Sequence, residues 1–272
     1  MIGIVIPVHN EELCLDATLH TARLAASHPA LLAEPVRIVV VLDACTDRSA
    51  DISLSHRVSI TRLDARNVGL ARSRGAELLL RDGARWLAFT DADTLVAPDW
   101  LAQQLALNAD AVCGTVAVDN WDGYADHVRE RFLRDYLDRD GHRHIHGANF
   151  GISALAYRRA GGFQPLACHE DVAMVQALMA IGADIAWSCK PRVSTSSRRY
   201  SKAAGGFGDT LRSWTPALPP PQGGRSPTDG MRLRGGSASG SSYSVAPEAV
   251  CSAGDHFPPA SAARPASPNV TG

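Results

Sequence analysis

The chain has 272 residues, enough for one large domain or two small ones. Its net charge of −1 gives no field that would attract nucleic acid, and none is expected as a partner. The longest apolar run, Ile38–Leu42, is much shorter than the ~20 residues of a spanning helix. We therefore expect no transmembrane segment and a cytoplasmic location, with peripheral membrane contact left open. The 6 cysteines occur without the close pairs of a zinc site, and we expect them reduced.

Short apolar runs alternate with helical patterns along the first half of the chain. The runs predict strands at 2–7, 36–42, 58–61, 86–89 and 111–118. Helices are predicted from an N-cap at Asn10 to Ser27, after a cap at Asp47, from Asn67 to Leu80, and over 100–108. This alternation predicts an α/β fold with a mostly parallel, Rossmann-like central sheet and helices on both faces.

The pattern changes after Asn120. A charged amphipathic helix is predicted at 124–137, a strand at 149–154, a helical turn at 157–160, a helix at 170–181 and a last strand at 185–188. Residues 215–272 hold most of the 16 prolines and show neither a helical nor a strand period. Such a segment buries too little apolar surface to offset its ordering entropy. We predict a folded domain over 1–214 and a disordered, low-complexity tail over 215–272.

Two carboxylates follow the central strand at 86–89. Asp91 and Asp93 come where a parallel strand ends, which is the edge where open α/β sheets bind ligands. Two like charges at one site call for a cation, and their hard oxygens suit Mg²⁺ or Mn²⁺. The simpler alternative is an acidic loop that leads into the helix at Trp100.

Five short motifs occur in a fixed order along the chain. They are residues 4–12 (Ile-Val-Ile-Pro-Val-His-Asn-Glu-Glu), 41–47 (Val-Leu-Asp-Ala-Cys-Thr-Asp), 66–69 (Arg-Asn-Val-Gly), 90–93 (Thr-Asp-Ala-Asp), and 161–163 (Gly-Gly-Phe) followed by Glu170-Asp171. In this order they resemble the inverting glycosyltransferases with the GT-A fold, the family-2 type. The resemblance covers about residues 2–190.

The resemblance implies transfer of a sugar, of the hexosyltransferase type, from a nucleotide-diphosphate donor to a hydroxyl acceptor that the sequence does not name. UDP is favoured over GDP on family frequency alone. The implied nucleotide-binding half is 1–118, and the acceptor-side half is 119–214. The implied donor residues are Pro7 and Glu11 in the nucleotide pocket, Asp43 at the base, Asn67 and Gly69 closing over it, Asp91 at the ribose or metal, and Asp93 at the metal. Three of them have structural alternatives: Asp43 as a turn residue, and Asp91 and Asp93 as parts of the acidic loop.

The same resemblance implies a general base in the Glu170-Asp171 pair. Asp171 would take the proton of the acceptor hydroxyl, with Glu170 as a helper or acceptor ligand. Both would also stabilise the start of the helix that follows them. His146 and Asn149 lie in the implied acceptor-side loop. His142 and His144 are expected to be solvated, because alternate histidines fit zinc spacings poorly, and Arg198 and Arg199 to lie in an exposed basic loop.

Two alternatives stay open. The segment around Asp91 also resembles the nucleophile motif of haloacid-dehalogenase-like phosphatases, although that motif belongs on a first strand. The second alternative is a nucleotide-sugar-binding relative with weak or no turnover, because the chain becomes low-complexity where such enzymes usually continue with acceptor-binding helices.

Overall fold

The computed structural model describes residues 1–196 and Trp214. Ten strands and seven α-helices lie in this part of the chain. In chain order they are β1 (Ile2–Val8), α1 (Leu15–Ala26), β2 (Val36–Asp43), α2 (Ser49–Ser55), β3 (Ser59–Leu63), α3 (Val68–Arg81), β4 (Trp86–Phe89), β5 (Thr94–Val96), α4 (Trp100–Ala106), β6 (Ala111–Gly114), β7 (Ala117–Val118), α5 (Asp126–Asp135), β8 (Phe150–Ser153), α6 (Ala154–Arg159), α7 (Glu170–Ala180), β9 (Ile185–Ser188) and β10 (Val193–Thr195).

Seven strands form one sheet in the order β3-β2-β1-β4-β8-β6-β9. All neighbours pair in parallel except at β8, which runs antiparallel to both β4 and β6. The expected α/β fold with a mostly parallel sheet is therefore confirmed. The reversal at β8 brings the residues that precede it, and not those that follow it, to the edge where the parallel strands end.

Both faces of this sheet are covered. Ile4 and Ile6 of β1 pack in one core with Leu19 of α1, while Val5 packs in the second core with Leu79 of α3. A strand buried on both faces is apolar throughout, which explains why β1 shows no alternation of apolar and polar residues.

A second sheet of three short strands has the order β5-β10-β7. Its strands are two or three residues long, and β5 and β10 were not predicted, because no periodic pattern fits into so few residues. The single strand expected at 111–118 is wrong: β6 belongs to the large sheet and β7 to the small one. In the small sheet, the Thr94 hydroxyl donates to that of Thr195 (2.9 Å), and the Ser196 N–H donates to the Asp93 carbonyl (3.2 Å). The small sheet thus holds the turn that carries Asp93.

The helix starts are only partly as predicted. Asn10 is not an N-cap: its φ is +53°, and α1 begins at Leu15. The cap at Asn67 is confirmed, because Asn67 Oδ1 accepts from the Leu70 N–H (2.9 Å). The expected cap at Asp47 is wrong: the N-cap of α2 is Arg48, and Asp47 precedes it, with its Oδ1 accepting from the Ser49 N–H (3.0 Å).

Several expectations fall outside the described residues. They concern the tail at 215–272, the basic residues Arg198 and Arg199, and Cys251. Within the described residues, none of the five cysteines takes part in a disulfide, and the helices are all too short or too polar to span a bilayer.

Candidate active site

The carboxyl ends of β1, β2 and β4 meet at one edge of the large sheet. Strand β4 ends at Phe89, opposite Val5, while β1 continues past it to Pro7, opposite Val41. The Val5 carbonyl accepts from the Thr90 N–H. The backbone hydrogen-bonding groups of residues 5 and 7 therefore both point towards β4. Pro7 lies where β4 has already ended, and its missing N–H costs no hydrogen bond of the sheet.

The loop after β1 is fastened to the loop after β2. His9 Nδ1 lies 2.7 Å from the Asp43 carbonyl, and Asn10 Oδ1 accepts from the Thr46 N–H at 2.7 Å. The N–H of Glu11 donates to Ser49 Oγ at 3.0 Å, and only 6% of Glu11 is exposed. The positive φ of Asn10 accompanies this contact between the two loops, which lie beside Pro7 at the edge of the sheet.

Asp43 shapes the turn between β3 and α3. Its Oδ1 accepts from the N–H groups of Ala65 (2.7 Å) and Arg66 (2.9 Å), and its Oδ2 accepts from the N–H of Asn67 (2.7 Å). Only 5% of Asp43 is exposed. These contacts give the carboxylate the turn role that the sequence left as an alternative; its contact with a base stays a prediction.

Asn67 and Gly69 contact another segment of the protein. Asn67 Nδ2 donates to the carbonyl of Pro165 (3.0 Å), and the N–H of Gly69 donates to the carbonyl of Leu166 (3.1 Å). A Cβ at Gly69 would lie 2.2 Å from the Gln164 carbonyl oxygen. The close approach that glycine permits here is therefore made to residues 164–166, whereas the sequence analysis assigned it to the nucleotide.

Asp91 and Asp93 follow β4 as predicted. Asp91 Oδ1 accepts from Arg72 Nη2 at 2.6 Å, and 37% of its side chain is exposed. Among the described residues, no group of three or more His, Cys, Asp or Glu side chains is arranged to hold a metal. Mg²⁺ usually takes one or two carboxylates, with water and substrate phosphate as its other ligands. The partly exposed Asp91 and Asp93 fit that limited set of protein ligands.

Arg72 is the residue of the site that the sequence analysis missed. Only 3% of its side chain is exposed, and its guanidinium donates to both Asp91 and Glu170. Burial by itself would lower the pKa of Arg72, but the two carboxylates raise it above its ordinary value. In sequence, Arg72 is one of several arginines on a helix. The only signal for its role is its place three residues after Gly69, on the apolar face with Ala71 and Ala76.

Glu170 and Asp171 open α7 at the same site. The Glu170 side chain is 6% exposed, and its pKa is raised by burial, an effect that Arg72 partly offsets. Asp171 Oδ2 accepts from the Gly147 N–H and Oδ1 from the Val172 N–H, both at 2.8 Å. Arg72 thus connects Glu170, beside the predicted base, to the predicted metal ligand Asp91.

His146 contacts a tyrosine and precedes Gly147, which binds Asp171. Its Nε2 is 2.9 Å from the hydroxyl of Tyr136, and that hydroxyl accepts from the Val116 N–H at 2.8 Å. The Tyr136 hydroxyl thus joins the His146 ring to the backbone of Val116. Burial, and to a smaller extent His144 and His142, lower the pKa of His146 to about 3. A neutral imidazole next to Gly147 is consistent with the predicted acceptor side.

Two expectations for this region need correction. Asn149 is fully buried: its amide donates to the carbonyls of Thr115 and Pro191 (both 2.7 Å), and its oxygen accepts from Trp100 Nε1 (2.8 Å). These bonds use its amide hydrogens inside the core, and not on the acceptor side. His142 is not solvated either, because only 1% of it is exposed.

The comparison with protein families decides the classification. The sequence profile of "Glycosyl transferase family 2" matches residues 3–163, well over half of the chain. The chain belongs to this family. The resemblance drawn from the five motifs is thereby confirmed, and the phosphatase alternative is not supported.

Solved structures of glycosyltransferases share the fold. S. aureus TarS 1–349 in complex with UDP-GlcNAc has a TM-score of 0.56 at 14% identity, over 76% of this chain and 61% of that one. The mannosyltransferase PcManGT from Pyrobaculum calidifontis, in complex with GDP-Man and Mn²⁺, has 0.55 at 15% identity, over 74% and 58%. Glucosyl-3-phosphoglycerate synthase from Mycobacterium tuberculosis, in complex with Mn²⁺, UDP and phosphoglyceric acid, has 0.52 at 15% identity, over 73% and 71%.

These similarities confirm the expected GT-A fold. The chain spans about three fifths of the length of TarS 1–349 and of the mannosyltransferase. A search of proteins with curated functions gives no match.

Proposed function

We propose that this chain is a metal-dependent, inverting glycosyltransferase that moves a sugar from a nucleoside-diphosphate donor to an acceptor hydroxyl. One observation carries the proposal: Asp91 follows β4, Glu170 and Asp171 open α7, and these predicted donor and acceptor groups lie around one buried arginine. Family membership and the GT-A fold support the reaction class.

The donor side belongs to the first half of the chain, 1–118. Pro7, Glu11 and Asp43 border the edge of the sheet where the nucleotide would bind, and Asn67 starts the neighbouring helix. Asp91 and Asp93 would hold Mg²⁺ or Mn²⁺, which supplies positive charge to the departing diphosphate. The structures with UDP-GlcNAc, and with GDP-Man and Mn²⁺, support a donor and a metal of this kind; UDP remains our first choice of nucleotide.

The acceptor side belongs to residues 119–214. Asp171 would take the acceptor's hydroxyl proton while the acceptor oxygen bonds to the anomeric carbon of the donor sugar. The bond between that carbon and the diphosphate oxygen breaks, and its electron pair leaves with the nucleoside diphosphate. Attack from the face opposite the diphosphate inverts the anomeric configuration. The acceptor is unidentified, and a cytoplasmic location remains part of the proposal.

A thermal-shift screen tests donor binding. UDP, GDP, UDP-GlcNAc and GDP-Man are each added with and without Mn²⁺, because a ligand at a hundred times its Kd stabilises the folded state by about 2.7 kcal/mol. We expect at least one nucleotide to raise Tm in the presence of Mn²⁺ and to do so much less without it. A screen in which none raises Tm would contradict the proposal.

A donor-hydrolysis assay separates an enzyme from a binding protein. A catalyst should release nucleoside diphosphate slowly from the donor that binds best, with water in place of the acceptor. Binding without release would favour the nucleotide-sugar-binding relative that the sequence left open.

A further inference from the structure

The guanidinium of Arg72 lies between carboxylates from two different segments. Its Nη1 donates to Glu170 Oε1, and its Nη2 donates to Asp91 Oδ1 at 2.6 Å. Asp91 follows β4 in the first half of the chain, and Glu170 begins α7 in the second half. Arg72 itself comes from α3, so one side chain joins three elements.

The surroundings fix the guanidinium in this place. A Cβ at Gly147 would lie 2.1 Å from Nη1, so a larger residue there would displace the guanidinium. The Phe163 ring centroid lies 5.8 Å from Cζ on another side. Gly147 also donates its N–H to Asp171. Arg72 and Gly147 contact each other, and together they hold the two acidic residues of α7.

The charges around Arg72 are unbalanced. Asp91, Glu170 and Asp171 are three carboxylates near one guanidinium. The neighbouring Cys113 adds no charge, because burial raises the pKa of its thiol to about 12. Without the arginine, the three carboxylates would repel one another, and Glu170 would be left buried without a counter-charge. Removing one partner of a buried ion pair is strongly destabilising for this reason.

We propose that Arg72 is a positioning residue that sets the placement of the donor-side Asp91 relative to the acceptor-side Asp171. Glu170 is the support through which Arg72 holds the start of α7, and it is not an acceptor ligand. This inference rests on the proposed function, since it assigns a role within that reaction.

The test uses four variants of the full chain. Arg72→Gln removes the charge, Arg72→Lys keeps it, and Arg72→Gln/Glu170→Gln also removes the stranded carboxylate. Arg74→Gln is the matched control, because Arg74 lies on the same helix with 40% of its side chain exposed and pairs only with Glu77 among the described residues. Each is measured by thermal unfolding, by calorimetry with Mn²⁺ and UDP or GDP, and by donor turnover with UDP-GlcNAc or GDP-Man.

We expect Arg72→Gln to lower Tm by about 5–15 °C, as loss of a buried ion-pair partner would. The double variant should regain most of that Tm because no buried charge is left alone. Its kcat should nevertheless stay about a hundredfold below wild type, the cost of a misplacement of about 1 Å. Arg72→Lys should recover only part of that loss, because one ammonium cannot replace a fork that reaches two separate carboxylates, and Arg74→Gln should match wild type.

Two results would contradict the role or the contact assigned to Arg72, and a third would contradict the proposed function. If the double variant recovers kcat together with Tm, Arg72 has only a structural role and the inference is wrong. If Tm does not recover in the double variant, the Arg72–Glu170 link is wrong, and this result does not depend on any activity. Should wild type neither bind nucleotide nor turn over donor, the proposed function fails, while the Tm comparison still decides whether the link exists.

Discussion

The backbone N–H of Gly147 donates to Oδ2 of Asp171 at 2.8 Å. The other carboxylate oxygen accepts from the N–H of Val172, so two backbone donors fix the direction of this side chain. Asp171 is thus held in one orientation, as the proposed role of a general base requires.

Asp171→Asn should therefore abolish transfer and leave donor binding intact. The asparagine oxygen can still accept the Gly147 N–H, but the amide takes no proton at neutral pH. Loss of a general base costs about 10²–10⁴-fold in rate. Single-turnover transfer with an identified acceptor, beside donor calorimetry, measures both effects. Asp184→Asn, an exposed carboxylate after the same helix, is the control. Transfer at a near wild-type rate would move the base to another residue, with His146 the next candidate.

Asp93→Ala should remove the metal dependence of nucleotide binding. In the proposed site, Asp93 is one of the two protein carboxylates that would hold the cation, so its loss would weaken the positive charge available to the diphosphate. Calorimetry of UDP and GDP with and without Mn²⁺ shows the change as loss of the Mn²⁺-dependent gain in affinity. The control is Asp51→Asn on the exposed side of α2. An unchanged gain with Mn²⁺ in Asp93→Ala would remove Asp93 from the metal site.

Gly69→Ala should destabilise the fold. The new Cβ would lie 2.2 Å from a carbonyl oxygen of Gln164, which is backbone and cannot rotate away. Overpacking of this kind costs about 1–3 kcal/mol of unfolding free energy. Urea denaturation measures it against Leu70→Ala, the partly exposed neighbour. Equal stability of Gly69→Ala and wild type would show that residues 164–166 do not approach α3 this closely.

Asp43→Asn should also destabilise the fold, by about 1–3 kcal/mol, because its new amide would face backbone N–H groups that need an acceptor. Three such groups now share the carboxylate. Urea denaturation without nucleotide isolates this effect from any role in binding, and Asp64→Asn is the exposed control nearby. A variant as stable as wild type but weaker in UDP binding would favour the base contact over the turn.

His146 should make stability depend on pH. Its pKa is lowered from 6.5 to about 3 by burial in the folded state, so between these values the unfolded chain binds one proton more. The free energy of unfolding should then fall as the pH falls from 7 towards 3. His146→Gln should reduce this slope by about one proton, and the exposed His20→Gln should change it little. Equal slopes in wild type and His146→Gln would contradict the assigned burial.

The sequence predicted those parts of the site that follow a strand or begin a helix. Trp86–Phe89 is a buried run of four residues that predicts a strand, and this strand places Asp91 close to its carboxyl end. Asn67 lies before a strong helical period, and its cap is found as expected. Such features depend on a few neighbouring residues, which a sequence displays directly.

The remaining features depend on contacts between distant residues. Arg72 pairs with Glu170, 98 positions away, and no local pattern distinguishes it from a surface arginine. Asn149 was placed on the acceptor side by the family resemblance, yet its partner Trp100 is 49 positions away in the core. The predicted His142 solvation failed for the same reason, since its burial is decided by the strands around it.

Because β8 runs in the reverse direction, the chain could be cut into two fragments at a turn away from the site. After Ser153 the chain is at the edge opposite the site, and it returns through α6 and the turn at Gly161 and Gly162. There is open space around Gly161. A break at this turn would give one fragment with Arg72, Asp91 and Gly147, and another with Glu170 and Asp171. Reassembly of the two fragments would rebuild the buried ion pair together with the pairing of β9 and β6, so recovery of the proposed donor turnover would report it.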